Sequence, residues 1–282
     1  MSECKKYIIF AVLSLNMLEF LKESTFKAND IISRALNILK KHYISVAGLC
    51  FLLFLIDTLN TFLLLFMESI EVSYSYFLRI LIFLVIIVLF FGVHLVLIKR
   101  AVYLAQHTEN THIANYIPSV WQFISFIIGL LIYSVISMVT YLLTLVITFP
   151  LVYLEISFDK IWYEICPVLT GIIMLFVFVR TSFFPFFILD RDFGALRSFR
   201  MSLAFTKGNV VNLLTVCVVL ALPYILRLLF ESFGYSYLAM GLRLIHTFII
   251  IPSVSLVLAI AYTDMIKEYK GSDDPELFKN II

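Results

Sequence analysis

Six apolar runs dominate the chain: Ile44 to Phe66, Phe77 to Ile98, Val120 to Pro150, Pro167 to Ile188, Val210 to Phe230 and Leu242 to Tyr262, each bounded by polar or turn-forming residues. Runs of this kind reach the roughly 20 residues that an α-helix needs to cross a ~30 Å hydrocarbon layer. An unpaired backbone group in lipid costs several kcal/mol, so a spanning segment closes its hydrogen bonds within a helix or within a barrel. The alternating segments of about ten residues that a barrel needs are missing. The pattern therefore predicts an all-α polytopic membrane protein, with six transmembrane helices filling residues 24–265. Composition agrees, since 62% of the 282 residues are hydrophobic and 14% charged, against roughly half and a quarter in soluble domains.

Basic residues are unevenly placed along this pattern. Lys22, Lys27, Arg34, Lys40 and Lys41 precede the first run, Lys99 and Arg100 follow the second, Arg191, Arg197, Arg200 and Lys207 separate the fourth from the fifth, and Lys267, Lys270 and Lys279 follow the sixth. The alternate connections carry Glu68 and Glu71, then Glu155, Asp159, Lys160 and Glu164. Short cytoplasmic loops retain positive charge, so both termini are expected in the cytoplasm. Arg79, Arg227 and Arg243, near span ends, are expected to snorkel toward headgroups. A net charge of +2 and the absence of basic blocks interleaved with aromatics exclude nucleic acid as a partner class. Cys4, Cys50, Cys166 and Cys217 stand far apart without a CxxC pair, which speaks against a disulfide framework or a zinc site.

Two stretches have the pattern of helices lying along the membrane surface. In residues 28–43, ANDIISRALNILKKHY, Ile31, Ile32, Ala35 and Leu39 share one face while Asp30, Ser33, Arg34, Asn37 and Lys41 take the other, and Asn29 or Asp30 is placed to cap the start. In residues 192–209, Leu196, Phe199 and Leu203 oppose Arg197, Arg200 and Lys207, with Gly208 placed to end the helix in a left-handed cap and Asn209 to open the next. Arg34, Lys40, Lys41, Arg197, Arg200 and Lys207 are then expected at anionic headgroups on the cytoplasmic side, each worth ~1 kcal/mol; the alternative is that these charges only set topology. Residues 1–23 read as an N-terminal extension, either interfacial or upstream of a native start at Met17, and residues 266–282 as a polar cytoplasmic tail.

Little in the sequence points to catalysis. No paired carboxylates and no nucleophile beside a base stand out, and no cofactor or metal is expected. His107 and His112 share a connection, but their five-residue step does not place them on one helical face. Ser134, Ser137, Tyr141, Thr144 and Thr148 line one face of the third run, which suits either a polar pathway or, more economically, helix packing. The ionisable groups deep in the runs are Asp57 and Arg180. A charge near the bilayer centre costs at least ~2.5 kcal/mol, so each needs a partner or a wet cavity. Asp57 lies ~20 Å and Arg180 ~12 Å along their helices from the cytoplasmic side. Arg180 is accordingly expected to pair with Asp57, or with carbonyls in spans four and five exposed where Pro185 cannot donate to Thr181.

The stretch RTSFFPFFILDRDFGALRSFRMSLAFTKGN, through Arg180, Pro185, Asp190, Gly194, Ala195, Ser202, Thr206, Lys207, Gly208 and Asn209, resembles the membrane domain attached to some bacterial glycerophosphoryl diester phosphodiesterases, and its stand-alone, functionally uncharacterised bacterial relatives. FKANDIISRALNILKKHY is similar to that family's N-terminal amphipathic helix. The resemblance implies a six-helix fold in the bacterial inner (cytoplasmic) membrane. The catalytic barrel of the fused proteins has no counterpart here, so no catalytic residue carries over. The resulting expectation is a non-enzymatic protein serving lipid or envelope processes as a scaffold or accessory, with membrane lipids and another membrane protein as partners. The alternative is a transporter or flippase of a lipid or small amphiphile that uses Asp57 and Arg180.

Overall fold

A computed structural model describes the backbone of residues 2–68, 75–106, 113–206 and 209–270, and the side chains of most of these from Ala28 to Ile266. Ten α-helices appear among the described residues, with no strand: α1 (Ser2–Glu68), α2 (Ser75–Ala105), α3 (Val120–Thr148), α4 (Phe158–Lys160), α5 (Cys166–Thr181), α6 (Phe184–Arg191), α7 (Ala195–Phe205), α8 (Val210–Ser232), α9 (Ser236–Ile245) and α10 (Ile251–Lys270). A π-turn at Ile161–Ile165 joins α4 to α5, and another at His246–Ile250 joins α9 to α10. The result is six helical segments long and apolar enough to cross a membrane. The protein is an all-α polytopic integral membrane protein.

Helix starts and breaks follow from particular residues. Ser119 and Gln122 form a reciprocal capping box at the head of α3, Ser119 accepting from the Gln122 N–H and Gln122 Oε1 from the Ser119 N–H. Pro118 stands just before this cap. Asn209 is the N-cap residue of α8. No cap forms at Asn29 or Asp30, because α1 is already helical there; its one non-helical residue is His42, which kinks it where the first apolar run begins. The fourth span is broken at Ser182–Phe183, two residues ahead of Pro185, which sits in the first turn of α6.

α1, α2 and α10 pack together with α8 against α1, while α3 packs on α5, and α6 and α7 lie between the two groups. The core gathers at one end of the bundle. Here Ala35, Leu39, Leu97, Phe183, Phe187, Met201, Leu213, Leu256 and Tyr262 form one buried cluster, and Leu95, Phe126, Phe184, Ile188 and Phe199 a second. This end also carries Arg34, Lys99, Arg191, Arg197 and Arg200, and is called the basic end below. Toward the far end, Phe62, Ile80, Leu143, Ile147 and Leu222 stay exposed, as suits surfaces that meet lipid tails rather than other helices.

The two expected surface helices meet the protein in different ways. In residues 28–41, Ala35 and Leu39 are buried and Ile31 and Ile32 pack against the core, so this apolar face is covered by protein. In α7 the buried face comprises Ala195, Ser198, Phe199, Met201, Ser202 and Phe205. Leu196 and Leu203, expected beside Phe199, point outward at 64% and 40% exposure, next to the exposed Arg197 and Arg200. On the buried face Ser202 meets the Arg180 carbonyl and the Phe183 N–H.

Candidate functional site

The break in the fourth span creates orphan backbone groups, and α7 satisfies them. Ser202 Oγ donates to the Arg180 carbonyl at 3.0 Å and accepts from the Phe183 N–H at 3.2 Å. Thr206 Oγ1 also lies 3.1 Å from the Arg180 carbonyl. The guanidinium of Arg180 crosses the other way and donates to the Leu203 carbonyl at 2.9 Å. Arg180, Ser202 and Thr206 therefore clamp α7 across the α5–α6 break, and Ser202 and Thr206 are fully buried in doing so. Thr181, whose carbonyl Pro185 cannot serve, turns its hydroxyl back to the Val177 carbonyl.

Beside the clamp lies a polar layer. Asp190 accepts from Tyr262 Oη at 2.9 Å and Gln106 Nε2 at 3.4 Å, and pairs with Arg191 at 3.2 Å. Gln122, only 4% exposed, donates to the Leu189 carbonyl and to Asp192 at 2.6 Å, and accepts from Lys99 at 3.4 Å. Asp192 reaches this position in a left-handed conformation, φ 53°, a region that aspartate tolerates better than most residues. These contacts tie α2, α3, α6 and α10 together at the basic end. Gly194 starts α7 as its N-cap residue and Ala195 is buried behind it.

Asp57 does not pair with Arg180. It accepts from Arg243, through Nε at 3.1 Å and through a second, shorter contact from the other guanidinium nitrogen. The correction has a packing cause: α1 lies against the segment that joins α9 to α10, whereas α5 packs on α3, α7 and α8. Arg243 is thus an ion-pair partner rather than a snorkelling residue. His246, one turn on, has its ring 5.5 Å from that of Tyr224, and the Arg227 guanidinium stands over the same Tyr224 ring, 5.7 Å from its centroid.

The cavity best placed to receive a ligand lies between α1, α8 and α10 at the basic end and encloses about 430 Å³. Its rim carries Asp30, Arg34 and Asp264 with Asn209 and Asn212; Leu213, Val216, Val257 and Ala261 form the apolar floor. Helical periodicity explains the gradation, because Asn209, Leu213 and Val216 descend one face of α8, and Asp264, Ala261 and Val257 one face of α10. At the rim Arg34 donates to Asp264 at 2.6 Å and pairs through Nε with Asp30 at 2.9 Å. Asn209 donates to Met265 Sδ at 3.7 Å. Arg34, expected at lipid headgroups, has its charge taken up by carboxylates instead, because the second of them arrives from α10.

Of the other expected surface cations, Lys40, Lys41, Arg197 and Arg200 are exposed, with Arg197 over the Phe193 ring at 4.1 Å. Lys207 and Gly208 lie outside the described residues, as do His107, His112 and Glu71. On the hydroxyl face of α3, Tyr141 Oη donates to the Trp162 carbonyl at 3.1 Å and Thr148 Oγ1 lies 3.1 Å from Cys166 Sγ, whereas Ser134 is exposed and donates back to the Leu130 carbonyl of its own helix. Among the described residues, no group of three or more His, Cys, Asp or Glu could hold a metal ion. Sequence reading missed Asp264, Tyr262, Gln122 and the role of Arg243; a serine three residues before Gln122 was the one available signal, for a capping box. No family model matches the chain, and neither does any curated protein or solved structure.

Proposed function

We propose that this integral membrane protein is a non-catalytic accessory in lipid or envelope processes, and that it acts by holding an amphiphile in the α1–α8–α10 cavity. The observation that carries the reading is the gradation within that cavity, from a charged rim at Arg34 and Asp264 to an apolar floor at Leu213 and Val257. This is the polarity profile of a molecule with a head and a tail, and the volume falls within the ~300–1,000 Å³ of small-molecule sites. The outer face of α7, with exposed Leu196, Arg197, Arg200 and Leu203, supports contact with a membrane surface in the same region. The resemblance of the Arg180–Asn209 stretch to phosphodiesterase-linked membrane domains favours a lipid-related process and a bacterial inner membrane. Positive charge at the basic end supports a cytoplasmic placement for it and for both termini.

The test is lipid retention. Protein isolated in mild detergent should carry an amphiphile detectable by native mass spectrometry, and Ala261→Phe, which fills the cavity, should lose it while keeping its melting temperature. Equal retention by the variant would refute the reading. A second reading, transport, is favoured by the intramembrane Asp57–Arg243 pair, because α1 both carries Asp57 and walls the cavity. Substrate-dependent flux in proteoliposomes that disappears in Asp57→Asn would establish it in place of the accessory role.

A further inference from the structure

We infer that the cavity selects amphiphiles whose head carries an ammonium group. The inference rests on the cavity being an amphiphile site and adds the chemistry of the head. Arg34 is the described cation at the rim, and two of its five N–H donors already serve carboxylates, Asp264 at 2.6 Å and Asp30 at 2.9 Å. Two carboxylates against one guanidinium leave the described rim one net negative charge. Each carboxylate has room for about four hydrogen bonds, so one from Arg34 leaves both with accepting capacity.

A phosphate or carboxylate head could reach Arg34 only beside both of its carboxylate partners, and would face them as like charges. An ammonium head instead brings up to three donors to acceptors that are already in place. Behind it, Leu213, Val216, Val257 and Ala261 accept the first part of the tail. At about 430 Å³ the site suits a head and the upper part of one chain rather than a whole diacyl lipid.

Three probes with the same tail separate the possibilities: dodecylammonium, dodecyl phosphate and dodecanol, each titrated into the full-length protein in one mild non-ionic detergent, with bound probe counted by native mass spectrometry. The wild type should bind dodecylammonium roughly tenfold or more tightly than either of the others, the effect of one charge-assisted hydrogen bond. Arg34→Gln should keep that order, because it removes a cation the head does not use. Asp30→Asn with Asp264→Asn should reverse it in favour of dodecyl phosphate, because Arg34 is then unpaired. Phosphate binding as tight as ammonium in the wild type, or an unchanged order in the double variant, would overturn the assignment. Equal binding of all three, abolished by Ala261→Phe, would overturn the ammonium preference while leaving the cavity reading intact. Absence of binding by any probe would overturn both.

Discussion

Removing Arg243 tests the intramembrane ion pair most directly. Asp57 lies 13 residues beyond Ile44, ~20 Å along the helix and so well inside the hydrocarbon. Arg243→Leu would leave its carboxylate without a partner. A lone charge at that depth costs ~2.5–3.5 kcal/mol on insertion scales, and breaking a fully buried pair ~3–5 kcal/mol. The side chains of Arg243 and Asp57 retain 32% and 47% exposure, so the lower of these ranges applies, and a loss of ~2.5–3.5 kcal/mol is expected. Replacing both charges, Asp57→Asn with Arg243→Leu, should recover most of it, since a neutral polar contact between membrane helices is worth only ~0.6 kcal/mol on average. Unfolding in mixed micelles, followed by the fluorescence of Trp121 and Trp162, reads the four corners of the cycle. Asp57→Asn with Arg180→Gln is the control, and should be additive because Arg180 belongs to a separate hydrogen-bond network. A coupling between Asp57 and Arg243 within ~0.3 kcal/mol of zero, or a larger one between Asp57 and Arg180, would refute the reasoning.

Gly129→Ala should destabilise by ~1–3 kcal/mol, since a Cβ there would lie 2.6 Å from Cε2 of Phe184, a ring that cannot swing clear because it is stacked between Phe126 and Phe199; a lowered melting temperature is the readout. Ser202→Ala and Thr206→Val should each cost ~1 kcal/mol, and less than the sum together because both serve the Arg180 carbonyl; additive losses in chemical denaturation would contradict the clamp. Reporter fusions after Phe66 or Pro150 should report the outside and fusions after Lys99 or Lys270 the cytoplasm, as the basic residues require; a cytoplasmic signal after Pro150 would overturn that orientation.

Spans were legible in the sequence because insertion into lipid is set largely residue by residue: a run such as Val210 to Phe230 carries its own free energy of burial wherever its neighbours lie. Helix ends marked by local chemistry, the Ser119 and Gln122 box or the break ahead of Pro185, belong to the same class, since the groups concerned are a few residues apart. Depth along a span could also be counted, which identified Asp57 and Arg180 as charges needing partners. What counting could not supply was the rotation of each helix and the identity of its neighbours. Asp57 meets Arg243 across 186 residues and Arg34 meets Asp264 across 230, and several basic residues matched each carboxylate equally well in charge and depth. The buried serines of α7 follow the same logic, because Ser202 faces inward only where the broken fourth span offers a carbonyl and an N–H to meet it. Apolar burial is non-directional and reads from composition, whereas an ion pair or a hydrogen bond needs atoms within about 3 Å, and only the packed tertiary structure decides which atoms those are.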